Sequence, residues 1–92
     1  MDAFPHIADE MKTRYIQRRH GDLAALEKAL QEKDESVFNR VGHQLKGNAP
    51  TFGYDDLAEI ARRMETASPV NDFAQAEALV AELREWLAKH SA

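Results

Sequence analysis

Apolar residues recur at three- and four-residue spacing along this whole chain, no stretch alternates as a half-buried strand would, and the breaks between the periodic segments are only a few residues long. Helical segments joined by such short turns fold back antiparallel to their neighbours. The pattern therefore predicts an all-α fold, an antiparallel up-and-down four-helix bundle, with or without a short extra helix at the N-terminus. Ninety-two residues make one domain, residues 1–92, able to build a single modest core.

The stripes can be followed along the chain. Phe4, Ile7, Ala8, Met11 and Tyr15 trace a first apolar face, with Pro5 tolerated in an initial turn. His20-Gly21-Asp22 interrupts it, and Asp22 is placed to cap the stripe of Leu23, Leu26 and Leu30. Two helices and one bent helix both fit this interruption. Lys33-Asp34-Glu35-Ser36 marks the next turn, with Asp34 as N-cap of a helix whose stripe is Val37, Phe38, Val41, Leu45, Ala49 and Phe52. Beyond Gly53, Asp55-Asp56 opens a helix with Leu57, Ile60, Ala61 and Met64 inward, its acidic start favoured by the helix dipole. Ala67-Ser68-Pro69 closes it. Asn71 or Asp72 starts a last helix carrying Phe73, Ala76, Val80, Leu83 and Leu87 inward, with Leu79 and Trp86 beside them. Trp86 reads as a core or groove-edge residue, the usual use of a large aromatic.

One residue on the second helix stands apart from its stripe. At about 100° per residue the apolar positions occupy roughly 120° of arc, and His43 lies roughly 175° from their centre. It is a surface histidine, not a buried one. Lys46 and Gly47, three and four residues on, flank it on the same helix. The first brings positive charge and the second leaves open space, an arrangement suited to reaching an anion. Gly42 and Gly47 each cost about 1 kcal/mol against alanine in a helix interior, which asks for a reason. Approach of another protein to the ring is one, and tight packing against a neighbouring helix is the other; the outward position of Gly47 favours approach from outside.

His43, Leu45, Lys46, Gly47, Asn48, Ala49 and Gly53, continued by Leu57 and Glu65, resemble the signature of histidine-containing phosphotransfer (HPt) domains. In that pattern a phosphoacceptor histidine is followed by Leu-Lys-Gly, a small residue pair, a glycine ten positions on and a leucine-bearing helix ending in glutamate. The resemblance implies that His43 accepts the phosphoryl group, that Lys46 steadies it and that Gly47 keeps its approach open. It further implies exchange with the aspartate of a response-regulator receiver domain, or with a hybrid histidine kinase, the Mg²⁺ being contributed by the receiver. Asn39, Arg40, Gln44 and Pro50 lie around His43 and are candidate receiver contacts. Pro50 is a departure from the family pattern. Proline lacks an N–H and disfavours helical angles at the residue before it, so the helix is expected to kink or end between Ala49 and Thr51.

An unprotonated imidazole nitrogen, available near neutral pH given an unperturbed pKa of about 6.5, can attack phosphorus directly. There is no nucleotide-binding glycine loop and no recognisable carboxylate Mg²⁺ site, so a phosphorelay intermediate without autonomous kinase activity and without a cofactor of its own is expected. His6, His20, His43 and His90 show no metal-ligand spacing, and the absence of cysteine removes thiolate sites. Arg18-Arg19 and Arg62-Arg63, with Arg40 and Lys46, could be read as a nucleic-acid patch, but a net charge of −4 argues against a phosphate-backbone footprint. The competing reading is a non-catalytic helical adaptor that docks without carrying phosphate; a nucleophile beside Lys46 distinguishes the two. Met-Asp-Ala-Phe-Pro has neither the basic nor the apolar part of a signal peptide, and no run reaches membrane-spanning length, so a cytoplasmic location is expected. With no apolar stripe left over, a monomer is expected as well. A sedimentation mass equal to one chain would support this, and twice that mass would refute it.

Overall fold

A computed structural model describes residues 8–91, which form four α-helices and one short 3₁₀ turn: α1 (Asp9–Glu32), α2 (Glu35–Asn48), the 3₁₀ turn (Ala49–Phe52), α3 (Asp55–Glu65) and α4 (Phe73–His90). The bundle expected from the apolar spacing is present. A further helix before α1, with Phe4, Pro5 and Ile7, would lie outside the described residues.

The first turn is built on local chemistry. Lys33 takes a left-handed conformation (φ 55°), and the Asp34 N–H donates to the Ala29 carbonyl at 2.9 Å, closing α1. Asp34 then caps α2 by accepting from the Ser36 N–H at 3.0 Å. Two helices are thus stopped and started within three residues, which forces them antiparallel. Asp72 does the same service for α4, accepting from the Gln75 N–H at 3.1 Å.

Side chains from all four helices meet in one core. Leu26 of α1, Phe38, Val41 and Leu45 of α2, Leu57, Ala61 and Met64 of α3, and Leu79, Val80, Leu83 and Leu87 of α4 are essentially inaccessible. Each large side chain so buried contributes about 1.5–3 kcal/mol over its exposed state. Trp86, 5% exposed, belongs to this core. It stacks on His90 at 3.9 Å and meets Tyr54 edge-on at 5.0 Å. Ion pairs tie the helices from outside: Arg63 holds Glu82 with two bonds of 2.9 and 2.7 Å between α3 and α4, and Arg84 reaches Glu27 at 2.8 Å between α4 and α1.

Of the two readings open at His20-Gly21-Asp22, a single helix is the one found, α1 running through Gly21. The penalty of one helical glycine is smaller than the stabilisation from packing both halves of α1 along a single axis. Three expectations are corrected. Asp22, rather than capping, faces Arg19 with 2.8 Å between Oδ2 and Nε. Met11 and Phe73 have the spacing of inward positions, yet are 46% and 40% exposed. Met11 lies toward the start of α1, whereas Phe73 opens α4 with the Lys33 ammonium 5.4 Å from its ring centre.

The proline departure is resolved in the expected direction. Helix α2 ends at Asn48, and Pro50 sits in the first turn of the 3₁₀ segment, where its missing N–H leaves no bond unmade. Gly53 closes that segment at φ 83°, its N–H donating to the Pro50 carbonyl at 3.0 Å, a backbone conformation that glycine adopts without a side-chain penalty. The Tyr15 hydroxyl donates to Asn48 Oδ1 at 2.6 Å and its ring stacks on Phe52 at 4.2 Å. Burial pushes the Tyr15 pKa up, so the donor proton stays in place. The end of α2 is therefore fixed to α1 despite the change of helix type.

Candidate functional site

The face of α2 opposite the core carries the residues singled out in the sequence. The His43 side chain is 72% exposed, as the wheel requires, while Val41 and Leu45 on either side of it are buried. Arg40, Gln44, Gly47 and Pro50 are exposed near it along the same segment. A Cβ built on Gly47 would meet nothing within 4 Å, so that position is open space, in keeping with an unobstructed approach. Lys46 and Asn39 lie toward α3, where each meets Glu65.

Glu65 organises the site, although the sequence pattern alone assigns it no role. It is the last residue of α3. Its Oε2 stands 2.9 Å from His43 Nδ1, its Oε1 accepts from Lys46 Nζ at 2.6 Å, and its backbone carbonyl accepts from Asn39 Nδ2 at 3.1 Å. The bond from Lys46, and then that from His43, holds the Glu65 pKa below the usual glutamate value. Because the folded-state value is depressed, these interactions persist above the ordinary carboxylate range and are lost only as pH falls through the lowered value. At neutral pH Glu65 is ionised and can only accept.

That fixes the tautomer of the ring. A neutral imidazole carries one proton, and with an ionised carboxylate facing Nδ1 that proton sits on Nδ1. Nε2 is left with a free lone pair, and it makes no hydrogen bond among the described residues. The exposed edge of the ring is the nucleophilic edge. A sequence signal for Glu65 did exist: the C-terminal turn of a helix favours cations, and a glutamate there beside Arg62 and Arg63 is out of place unless something else requires it.

The glycine before the histidine serves packing. Gly42 is buried, and a Cβ on it would fall 2.5 Å from Glu65 N, 2.7 Å from Glu65 Cα and 2.8 Å from the Ala61 carbonyl oxygen. Of the two reasons weighed for it, close helix approach is the one the structure supports.

The arginine pairs weighed as a nucleic-acid patch are largely engaged with carboxylates: Arg19 with Asp22, Arg62 with Glu59, and Arg63 with Glu82. No helix among the described residues is long and apolar enough to cross a membrane.

Comparison with curated proteins returned no match, and comparison with solved structures returned none either. A family model described as Hpt domain matches residues 10–91, nearly the whole chain and all but the first residue of the four helices. The chain therefore belongs to the Hpt domain family, whose members carry out histidine phosphotransfer in two-component systems.

Proposed function

We propose that this domain is a phosphorelay intermediate in which His43 accepts a phosphoryl group from the aspartyl phosphate of a response-regulator receiver domain and can return it to such an aspartate. The observation that carries the reading is the pairing of an exposed ring with a carboxylate on its inner nitrogen: His43 is 72% exposed, and Nδ1 stands 2.9 Å from Glu65. An exposed pair of this kind adds little stability, whereas it leaves the outer ring nitrogen free and oriented. A carrier needs both properties.

The step balances without a proton leaving the ring. The Nε2 lone pair forms the N–P bond as the bond from phosphorus to the aspartate oxygen breaks, and that electron pair leaves with the carboxylate. Nδ1 keeps its proton, so the phosphorylated ring is cationic, and Glu65 offsets the new charge at hydrogen-bond distance. Return of the group reverses each change. Phosphoryl transfer depends mainly on alignment and charge stabilisation, and this chain supplies the alignment. The Mg²⁺ and the groups around the aspartyl phosphate belong to the receiver.

Lys46 contributes charge. Its ammonium has three donors, so it can keep Glu65 and still offer a proton to a phosphoryl oxygen at Nε2. Hydrogen bonds to charged groups are worth more than neutral ones, but this ammonium is nearly half exposed and screened accordingly. Lys46→Ala should slow transfer by about 3- to 10-fold, measured as single-turnover rates in both directions; unchanged rates would remove Lys46 from the mechanism.

The direct test incubates the purified domain with a receiver carrying labelled aspartyl phosphate and Mg²⁺. Acid-labile, alkali-stable label on the domain is the expected result. Receivers that bind the domain without transferring label would favour the adaptor reading instead.

A further inference from the structure

Glu65 can hold the His43 ring only if its own backbone is held, and two residues outside the reacting pair do this. On α2, Gly42 lies directly under the last residue of α3. A Cβ there would sit 2.5 Å from Glu65 N and 2.7 Å from Glu65 Cα. Ordinary contacts between carbon atoms lie at about 3.5–4.0 Å, so any side chain at 42 would push the end of α3 outward by about 1 Å. One turn earlier, Asn39 Nδ2 donates to the Glu65 carbonyl at 3.1 Å. That carbonyl belongs to the final turn of α3, where helix geometry provides no N–H for it. The atoms of Glu65 that set the origin and direction of its side chain are thus fixed by one close approach and one hydrogen bond, both from α2.

We propose that Gly42 and Asn39 are positioning residues for phosphotransfer, acting through Glu65 to keep His43 in the tautomer with Nδ1 protonated and Nε2 free. The proposal rests on the phosphorelay reading above and names what tunes that site. The close approach is also economical in sequence: Gly42 precedes His43, so the residue that seats α3 and the residue that α3 orients share one turn of helix. Because Glu65 bridges Nδ1 and Lys46 with its two oxygens, a withdrawal of about 1 Å cannot be absorbed by one bond without weakening the other, and misplacement of that size costs on the order of 10- to 100-fold in well-aligned reactions.

The test compares wild type with Gly42→Ala and Asn39→Ala by two readouts: the single-turnover phosphotransfer rate, and the His43 ring ¹⁵N shifts, which report the tautomer. Cooperative thermal unfolding establishes that each variant is folded. Wild type is expected in the Nδ1–H form. Gly42→Ala should populate both tautomers and transfer about 10-fold more slowly, and Asn39→Ala should move in the same direction by about 3-fold. A folded Gly42→Ala with slower transfer but an unchanged tautomer would mean a purely structural role and would overturn the proposal. If Gly42→Ala does not fold, Asn39→Ala decides alone, and wild-type shifts and rate in that variant would equally overturn it. Failure of wild type to accept phosphate would sink the phosphorelay reading, while the ring shifts would still decide whether Gly42 and Asn39 set the tautomer.

Discussion

His43→Gln is expected to abolish acceptance of phosphate while leaving the bundle folded. Glutamine retains polarity and approximate reach but has no ring nitrogen with a lone pair able to form an N–P bond, so no residual transfer should be seen above the blank. The stability cost should be about 0.5–1 kcal/mol, since the side chain is 72% exposed and touches the rest of the protein chiefly through Glu65. Helical circular dichroism and a thermal midpoint close to that of wild type, together with complete loss of label, form the expected pair of results. Label persisting on the variant would place the phosphoacceptor elsewhere; collapse of the fold would contradict the outward orientation of the ring.

Glu65→Ala has the second largest expected effect, and it reaches the same chemistry from the other helix. The substitution removes the acceptor for Nδ1–H and the partner of Lys46 together. The ring should then rotate and exchange tautomers, the cationic phosphorylated ring loses its counter-charge, and transfer should fall about 10- to 100-fold. Glu65→Gln separates the two contributions, because its amide oxygen can still accept from Nδ1 but carries no charge; its rate should lie between those of wild type and Glu65→Ala. Transfer by Glu65→Ala at the wild-type rate would exclude the carboxylate from the mechanism.

The helical stripes on α2 and α3 could be read from sequence because their central positions answer to one force, although Val37 and Phe52 at the two ends of the α2 stripe are only partly buried. Phe38, Val41, Leu45, Leu57, Ile60, Ala61 and Met64 are all buried as the 3.6-residue period requires. The period fails at helix starts, where Met11 and Phe73 have the right phase but remain partly exposed. It is also ambiguous in α1, where Gly21 reads as a break although the chain runs through it as helix. Propensity loses to tertiary packing there.

The outward direction of His43 is legible from the wheel alone, and the open space at Gly47 likewise. The role of Glu65 is not, because the residues separating it from His43 include the 3₁₀ turn, and no local rule says where α3 will end relative to α2. Gly42 has two readings for the same reason. A helix wheel places a residue on a face but does not say which neighbour that face meets. The nearness of the helices, visible only in the distance between a hypothetical Cβ and the Glu65 backbone, decides the matter.

Among the described residues the hydrogen bonds and ion pairs of the His43, Lys46 and Glu65 side chains join α2 to α3, and α4 supplies none of them. Energetic effects at well-separated sites without shared partners add nearly independently. Substitutions at Leu79, Leu83 or Leu87 are therefore expected to act on how firmly the bundle stays folded and those at Asn39 or Glu65 on the environment of the His43 ring, with little cross-talk between the two kinds, whereas Gly42, packed against the α3 backbone, is expected to touch both.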